Sequence, residues 1–296
     1  MNEQPWMAGP PACLLLATDL SARCDRAIDR AAQLAGEWRA KLVVLNVLET
    51  PQAPDLVLKW ANACDDENCI RIARRQIQRD LASLDIHTDI RIVRGETSSV
   101  IRETAIDANC GLIVTGMARN EILGRFLIGS TVERLARTVP QPLLVVRNRV
   151  HNPYRRIIVA TDFSDSSRHA LNAAIRFFPG RELILYHAHT APLSETLGKA
   201  PNTSAGMSMA KKECGDFLSA SNLPDDVRSH LQVVIEYGAL ETALVNYVRE
   251  HDIDLVIMGT HGRSGLMNIL LGSAAARLLD WLPSDTMIVR EPQALT

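Results

Sequence analysis

Short apolar runs alternate with stretches whose apolar residues recur every three or four positions. In the second half of the chain, Ile157–Ala160 is an apolar run, as a strand covered on both faces requires. It is followed by Ala170, Leu171, Ala174, Ile175 and Phe178, a helical spacing that Ser164 is placed to cap. Further strands are expected at Glu182–His187, Leu231–Glu236, Asp254–Met258 and Thr286–Val289. Ser273 opens a last helix with Ala275, Leu278 and Leu279 on one face. The first half repeats the order, with strands expected at Cys13–Ala17, Lys41–Val47, Asp89–Val93, Gly111–Thr115 and Pro142–Val146. Asp55–Leu84 reads as a helix, with Ile70, Ala73, Ile77, Leu81 and Leu84 in phase. Its counterpart Ser194–Asn222 is interrupted by Pro201, Gly206 and several serines. Strands alternating with helices mean βαβ units and a parallel sheet.

The two halves are copies. Ala17-Thr18-Asp19-Leu20-Ser21 returns as Ala160-Thr161-Asp162-Phe163-Ser164, an offset of 143 residues. The same offset relates Gly95 to Gly238, Leu112–Gly116 to Leu255–Gly259, Gly129-Ser130 to Gly272-Ser273, and Leu143–Arg147 to Thr286–Arg290. Solenoid repeats have periods of ~20–50 residues, so this is duplication of a whole domain. The expected domains are residues 1–149 and 150–296, joined at the polar stretch Asn148–Pro153.

Composition excludes several classes. Hydrophobic residues make up 47% of the 296 residues and charged residues 22%, a globular balance. The net charge is −2 and neither half is basic, which argues against nucleic-acid binding. No apolar run reaches the ~20 residues of a membrane span, and the start lacks a signal-peptide pattern, so a cytoplasmic location is expected. Six cysteines show no C-x-x-C pair; the nearest approach is Cys64-x4-Cys69, and reduced packing thiols are expected. His187-x-His189 puts two imidazoles on one strand face, with no further ligand evident, so no metal is expected. Ser98 and Ser99 fall at a helix start and read as capping residues.

Open parallel sheets bind ligands beyond the carboxyl ends of strands where the strand order reverses. Asp162 follows the first strand of the second half. Gly259-Thr260-His261-Gly262 follows the fourth, and a loop leads to Gly272-Ser273 at a helix start. Glycines let backbone approach a ligand, and helix-terminal N–H groups suit a phosphate. The Ser273 hydroxyl either caps the helix or donates to a phosphate oxygen.

The spacing G-x2-G-x9-G-S at Gly259, Gly262, Gly272 and Ser273 closely resembles the nucleotide loop of the universal stress protein family, and the likeness runs from Cys13 to Glu291. The resemblance implies two tandem α/β domains. Each would be an open five-stranded parallel sheet with helices on both faces, of the adenine nucleotide alpha hydrolase-like or Rossmann-like kind. It implies ATP, with Mg2+, as the ligand. Thr161 and Asp162 would then meet the adenosine, Ala188, just past the second strand, would offer backbone to adenine, and Met258 would line the base pocket. Gly259, His261, Gly262, Gly272, Ser273 and Ala274 would surround ribose and phosphates. Two of these have competing readings: His261 as an exposed loop histidine, and the neighbouring Arg263 as a solvated cation.

The first half keeps Asp19 and Gly129-Ser130 but has Gly116-Met117-Ala118-Arg119 where the second has Gly259-Thr260-His261-Gly262. Arg119 brings a side chain where the family has bare backbone. Loss of ATP binding there is expected, against the reading that Arg119 grips another anion. The chain thus reads as a nucleotide-dependent binding or regulatory module in stress response and not as an enzyme. A slow ATPase or autophosphorylating enzyme, and an interaction module with vestigial sites, are the alternatives. The edge strands Leu143–Val146 and Thr286–Val289 are expected to pair antiparallel within one chain, because unpaired edges need covering. A homodimer of the whole chain is a further expectation.

Overall fold

The computed structural model describes residues 9–22, 24–48, 66–82, 84–117, 121–122, 125–126, 129–189, 203–262 and 271–291. The first half contains β1 (Cys13–Thr18), α1 (Asp25–Trp38), β2 (Lys41–Leu48), α2 (Asp66–Asp80), β3 (Thr88–Arg94), α3 (Thr97–Asp107) and β4 (Leu112–Gly116). A two-stranded ribbon, β5 (Glu121–Ile122) with β6 (Arg125–Phe126), precedes α4 (Ser130–Thr138) and β7 (Leu143–Val146). The second half contains β8 (Arg156–Ala160), α5 (Asp165–Phe177), β9 (Glu182–His189), α6 (Thr203–Ala220), α7 (Asp225–His230), β10 (Gln232–Tyr237), α8 (Leu240–Glu250), β11 (Leu255–Gly259), α9 (Ser273–Trp281) and β12 (Asp285–Val289).

Each half forms five parallel strands with the first strand at the centre. The orders are β3-β2-β1-β4-β7 and β10-β9-β8-β11-β12. The chain reverses direction across the sheet between β1 and β4, and again between β8 and β11, so each half has its switch point there. The two sheets are continuous: β7 and β12 pair antiparallel, with Met287 opposite Leu144. Each strand thereby covers the other's open edge.

The alternation within strands builds two cores. Leu14, Leu16, Ile157 and Val159 face one layer, with α1 and α5. Leu15, Ala17, Ile158 and Ala160 face the other, with α3, α4, α8 and α9. Both layers draw residues from both halves. Across the seam, Trp38 of α1 meets Phe177 at the end of α5 and Phe178, which follows it, with ring centroids 5.7 Å apart in each case.

Several elements differ from the sequence expectation. β9 runs on to His189, so Ala188 lies inside the strand and not past it, carried there by its pairing with Glu236 of β10. α6 passes through Gly206 and its serines, because Ala210, Cys214 and Phe217 bury a face that outweighs the weak local propensity. Ser98 and Ser99 do not cap α3. The preceding Glu96 does, its carboxylate accepting from the Ser98 and Ser99 amides at 3.2 and 2.8 Å. The parts of Asp55–Leu84 and Ser194–Asn222 at residues 55–65 and 194–202, and Cys64, lie outside the described residues.

Candidate functional site at the second switch point

The site starts with a turn that both halves repeat. After β8, the Thr161 hydroxyl accepts from the Phe163 amide at 2.8 Å, and the Asp162 carboxylate accepts from the Ser164 amide at 3.1 Å. After β1, the Thr18 hydroxyl accepts from the Leu20 amide at 3.0 Å, and Asp19 accepts from Ser21 at 2.9 Å. Leu20 and Phe163 both take the left-handed conformation, with φ of 59° and 64°. That conformation is unusual for branched and aromatic residues, and the hydroxyl and carboxylate bonds on either side hold it. Burial alone would raise the Asp19 carboxyl. Hydrogen bonds from Ser21 and Cys24 outweigh it and hold the group below the usual carboxylate range.

Around Asp162 the chain is tightly packed. Thr161 is buried, its amide donates to the Tyr186 carbonyl at 2.9 Å, and its hydroxyl bonds Ser167 at 2.8 Å. The Thr161 carbonyl accepts from His187 Nδ1 at 2.8 Å, and the His187 ring lies 4.4 Å from that of Phe163. Ser164 caps α5 by accepting from the Ser167 amide at 3.3 Å.

β11 brings the glycine loop alongside. None of Gly259, Gly262 and Gly272 has a positive φ, so close approach and not backbone conformation explains them. A Cβ on Gly259 would lie 2.9 Å from the Ser166 carbonyl, and one on Gly262 would lie 2.7 Å from Asp162 Oδ2. The Gly272 amide donates to the Thr260 carbonyl at 2.8 Å, and a Cβ on Gly272 would lie 3.1 Å from that oxygen. This bond sets Gly272, at the start of α9, beside Thr260 and His261. Residues 263–270, including Arg263, lie outside the described residues, as does Arg119 in the first half.

The residues singled out in the sequence fall into three groups. Thr161, Asp162, Gly259, His261, Gly262, Gly272, Ser273 and Ala274 gather where β8 and β11 end and α9 begins. Met258 is buried in the core beneath, opposite Ala160. Ala188 stands one strand further out, half-buried in β9. Gly272 is the N-cap of α9, and Ser273 is its exposed first residue with no capping bond from a side chain, so the capping reading of Ser273 fails. The first amides of α9 have no intrahelical partners.

Three contributors lack a signal in the spacing. Ser166 donates no motif, yet its hydroxyl accepts from the His261 amide at 3.4 Å. Thr260 is buried and bonds His261 Nδ1 at 2.8 Å. His187 anchors the Thr161 carbonyl. Thr260 was legible only as a filler between two glycines. The other two come from elements that the fold alone brings close. The far nitrogen of His261, Nε2, is buried with no hydrogen-bond partner among the described residues. His187 and His189 bring no third ligand with them: among the described residues there is no cluster of three or more His, Cys, Asp or Glu side chains. No helix among those residues is long and apolar enough to cross a membrane.

A duplicated, doubly wound sheet with a glycine loop at its switch point defines a tandem α/β protein. The model of the Universal stress protein family matches residues 14–147 and again 153–290, and the chain belongs to that family. A universal stress protein of Mycolicibacterium smegmatis is 28% identical over 94% of this chain and 96% of its own length. One from Methanocaldococcus jannaschii is 26% identical over 50% of this chain and 89% of its own. Among solved structures, a universal stress protein from Archaeoglobus fulgidus aligns with a TM-score of 0.67 over 95% of this chain and 98% of that one, at 18% identity. A universal stress protein structure from Pseudomonas aeruginosa aligns at 0.63 over 96% and 94%, at 20% identity. At these identities the structural likeness is one of fold.

Proposed function

We propose that the second half binds one adenine nucleotide, ATP carried with its Mg2+, and that the protein acts in stress response as a nucleotide-dependent regulatory module. The observation that carries this reading is the close approach of Gly262 to Asp162 where β8 and β11 end: a Cβ there would lie 2.7 Å from the carboxylate Oδ2. The amides at the start of α9 are the donors a phosphate chain needs, and the buried His261 Nε2 nearby has no hydrogen-bond partner among the described residues. Asp162 meets the adenosine, Ala188 and Met258 bound the base, and Gly259, His261, Gly262, Gly272, Ser273 and Ala274 surround ribose and phosphates. With the domains divided at residues 149 and 150, the site belongs to the second unit, and Arg119, standing where the second half has Gly262, leaves the first without ATP. The two units act as an intramolecular pair about the β7–β12 seam, in the cytoplasm.

Titration calorimetry with ATP tests the stoichiometry, with phosphate release followed in the same sample. One nucleotide per chain is expected, and Gly262→Arg, which copies the first half, abolishes binding. Two nucleotides per chain, or unchanged affinity in that variant, would sink the assignment.

The site holds phosphates in their ground state and is not an enzyme's. Turnover needs an in-line nucleophile and charge stabilisation beyond ground-state binding. His261 is the one base the loop supplies; its Nδ1 bonds Thr260 and its Nε2 is buried, so neither nitrogen is set out toward an attacking water. Phosphate release is therefore expected well below the ~1–10³ per second of ordinary enzymes, and His261→Ala changes it by less than about tenfold. Turnover of several per second that disappears in His261→Ala would make the protein an ATPase instead.

A further inference from the structure

The first half holds a thiol pair that the duplication does not carry. Cys13 opens β1, and Cys110 stands just before β4, the neighbouring parallel strand. Their Sγ atoms lie 3.0 Å apart across 97 residues of sequence. The positions 143 residues further on are Arg156 and Ile253, so the second half has no counterpart.

Backbone bonds hold both residues in place. The Gly111 amide donates to the Cys13 carbonyl at 2.9 Å, and the Cys110 amide donates to the Ala105 carbonyl at 2.8 Å. A disulfide has its sulfurs ~2.05 Å apart, so bond formation asks for an approach of about 1 Å. Lys41 is the register partner of Cys13 on β2. Lys41 and Arg91 both pair with Asp89, at 3.0 and 3.1 Å, and all three are about one-third exposed. They form a charged rim beside the buried sulfurs.

The two sulfurs are unlike. The hydrogen bond from Cys110 holds the Cys13 thiol below its ordinary value, against burial and with help from Lys41 and Arg91. The same bond, and then burial, push the Cys110 thiol well above the ordinary range. Cys13 is also the less buried of the two, 8% exposed against 0% for Cys110, and stands beside Lys41, so it is the sulfur a small oxidant meets first and Cys110 is its partner.

We propose that Cys13 and Cys110 are a reversible redox site, in which Cys13 reacts with a hydroperoxide and Cys110 closes the disulfide. The Cys13 thiolate attacks the peroxide oxygen; the S–O bond forms and the O–O bond breaks. The leaving oxygen takes the proton given up by Cys13 and departs as alcohol, or as water from hydrogen peroxide. The Cys110 sulfur then attacks the Cys13 sulfenic acid; the S–S bond forms, the S–O bond breaks, and the Cys110 proton leaves with the oxygen as water. Two thiols are oxidised and one peroxide is reduced by two electrons.

The test treats the full chain with hydrogen peroxide, blocks remaining thiols with maleimide, and maps an unreduced digest by mass spectrometry. The expected result is a linked peptide pair joining Cys13 to Cys110 that disappears with dithiothreitol, while Cys24 and Cys214 are recovered alkylated after denaturation. In Cys110→Ser, Cys13 is captured by dimedone as a sulfenic acid. Recovery of both Cys13 and Cys110 as alkylated thiols overturns the proposal. So do bridges spread equally over other cysteine pairs. A Cys110→Ser protein whose Cys13 gives no dimedone adduct overturns the assignment of the nucleophile.

Discussion

Single side chains decide the local turns of this protein. Glu96 shows it best, because a serine cap was the natural reading of Gly95-Glu96-Thr97-Ser98-Ser99. A carboxylate at a helix N-terminus reaches two amides at once and meets the positive end of the helix dipole. Arg134 adds a contact at 2.6 Å. Hydrogen bonds from Ser99, through its hydroxyl and its amide, and then from Ser98, pull the Glu96 carboxyl down to about 2. The folded value lies below the ~4.3 of an unfolded chain. The stability it supplies is therefore complete above that unfolded value and is lost as pH falls toward 2. Replacing Glu96 by Ala is expected to cost about 1 kcal/mol at neutral pH. The difference from the parent shrinks in denaturant melts as pH is lowered from 5 to about 2. A constant difference across that range would contradict the cap.

At the scale of elements, strands were legible and their ends were not. Apolar runs such as Ile157–Ala160 announce a strand buried on both faces, but the last residue depends on what the neighbouring strand offers. β9 runs to His189 because β10 pairs along it, Tyr237 opposite His189. Ser164 was legible as the α5 cap because it is a capping residue type between the strand and the helical spacing that begins at Ala170. α6 was not, since Gly206 lowers the local preference and only burial against the sheet restores it. The β7–β12 seam is an element-scale contact with a sharp test. Leu144 and Met287 are fully buried and directly opposite. Cysteines at both positions, Leu144→Cys with Met287→Cys, are expected to form a bridge within one chain under mild oxidation. A bridged species of monomer mass that migrates faster in non-reducing gels is the readout, and dimer-sized products alone would count against the register.

The whole molecule is tied together at Asp285, whose counterpart in the first half is Pro142. Its carboxylate is completely buried and accepts from the Arg147 and Asn148 amides at 2.7 and 2.9 Å and from the Tyr154 hydroxyl at 2.5 Å. Arg30 of α1 lies 3.4 Å away, with its guanidinium 3.9 Å over the Tyr154 ring. First-half helix, interdomain link and second-half strand thus converge on one group. Burial pushes the Asp285 carboxyl up, and the hydrogen bonds from Asn148, Tyr154 and Arg147 oppose it. Asp285→Ala would leave the buried Arg30 charge unpaired, at a cost of about 3–5 kcal/mol. Equilibrium denaturation of that variant should show the loss in both halves at once; two separate transitions with the first half unaffected would refute the shared clasp.

The amino-acid sequence by itself determined the duplication, the parallel α/β class and the glycine loop, because each is written in local spacing: one offset of 143 residues, apolar runs of strand length, glycines before a helix. It did not contain the neighbours. Ser166 against Gly259, His187 under Thr161, and Cys13 beside Cys110 are contacts between residues remote in sequence or on different elements, and they exist only once the strand order is set. Tertiary structure also decided why the glycines are there. With no positive φ to satisfy, Gly259 is required by the Ser166 backbone packed against it and Gly262 leaves room for the Asp162 carboxylate, and a chain read residue by residue carries no record of either distance.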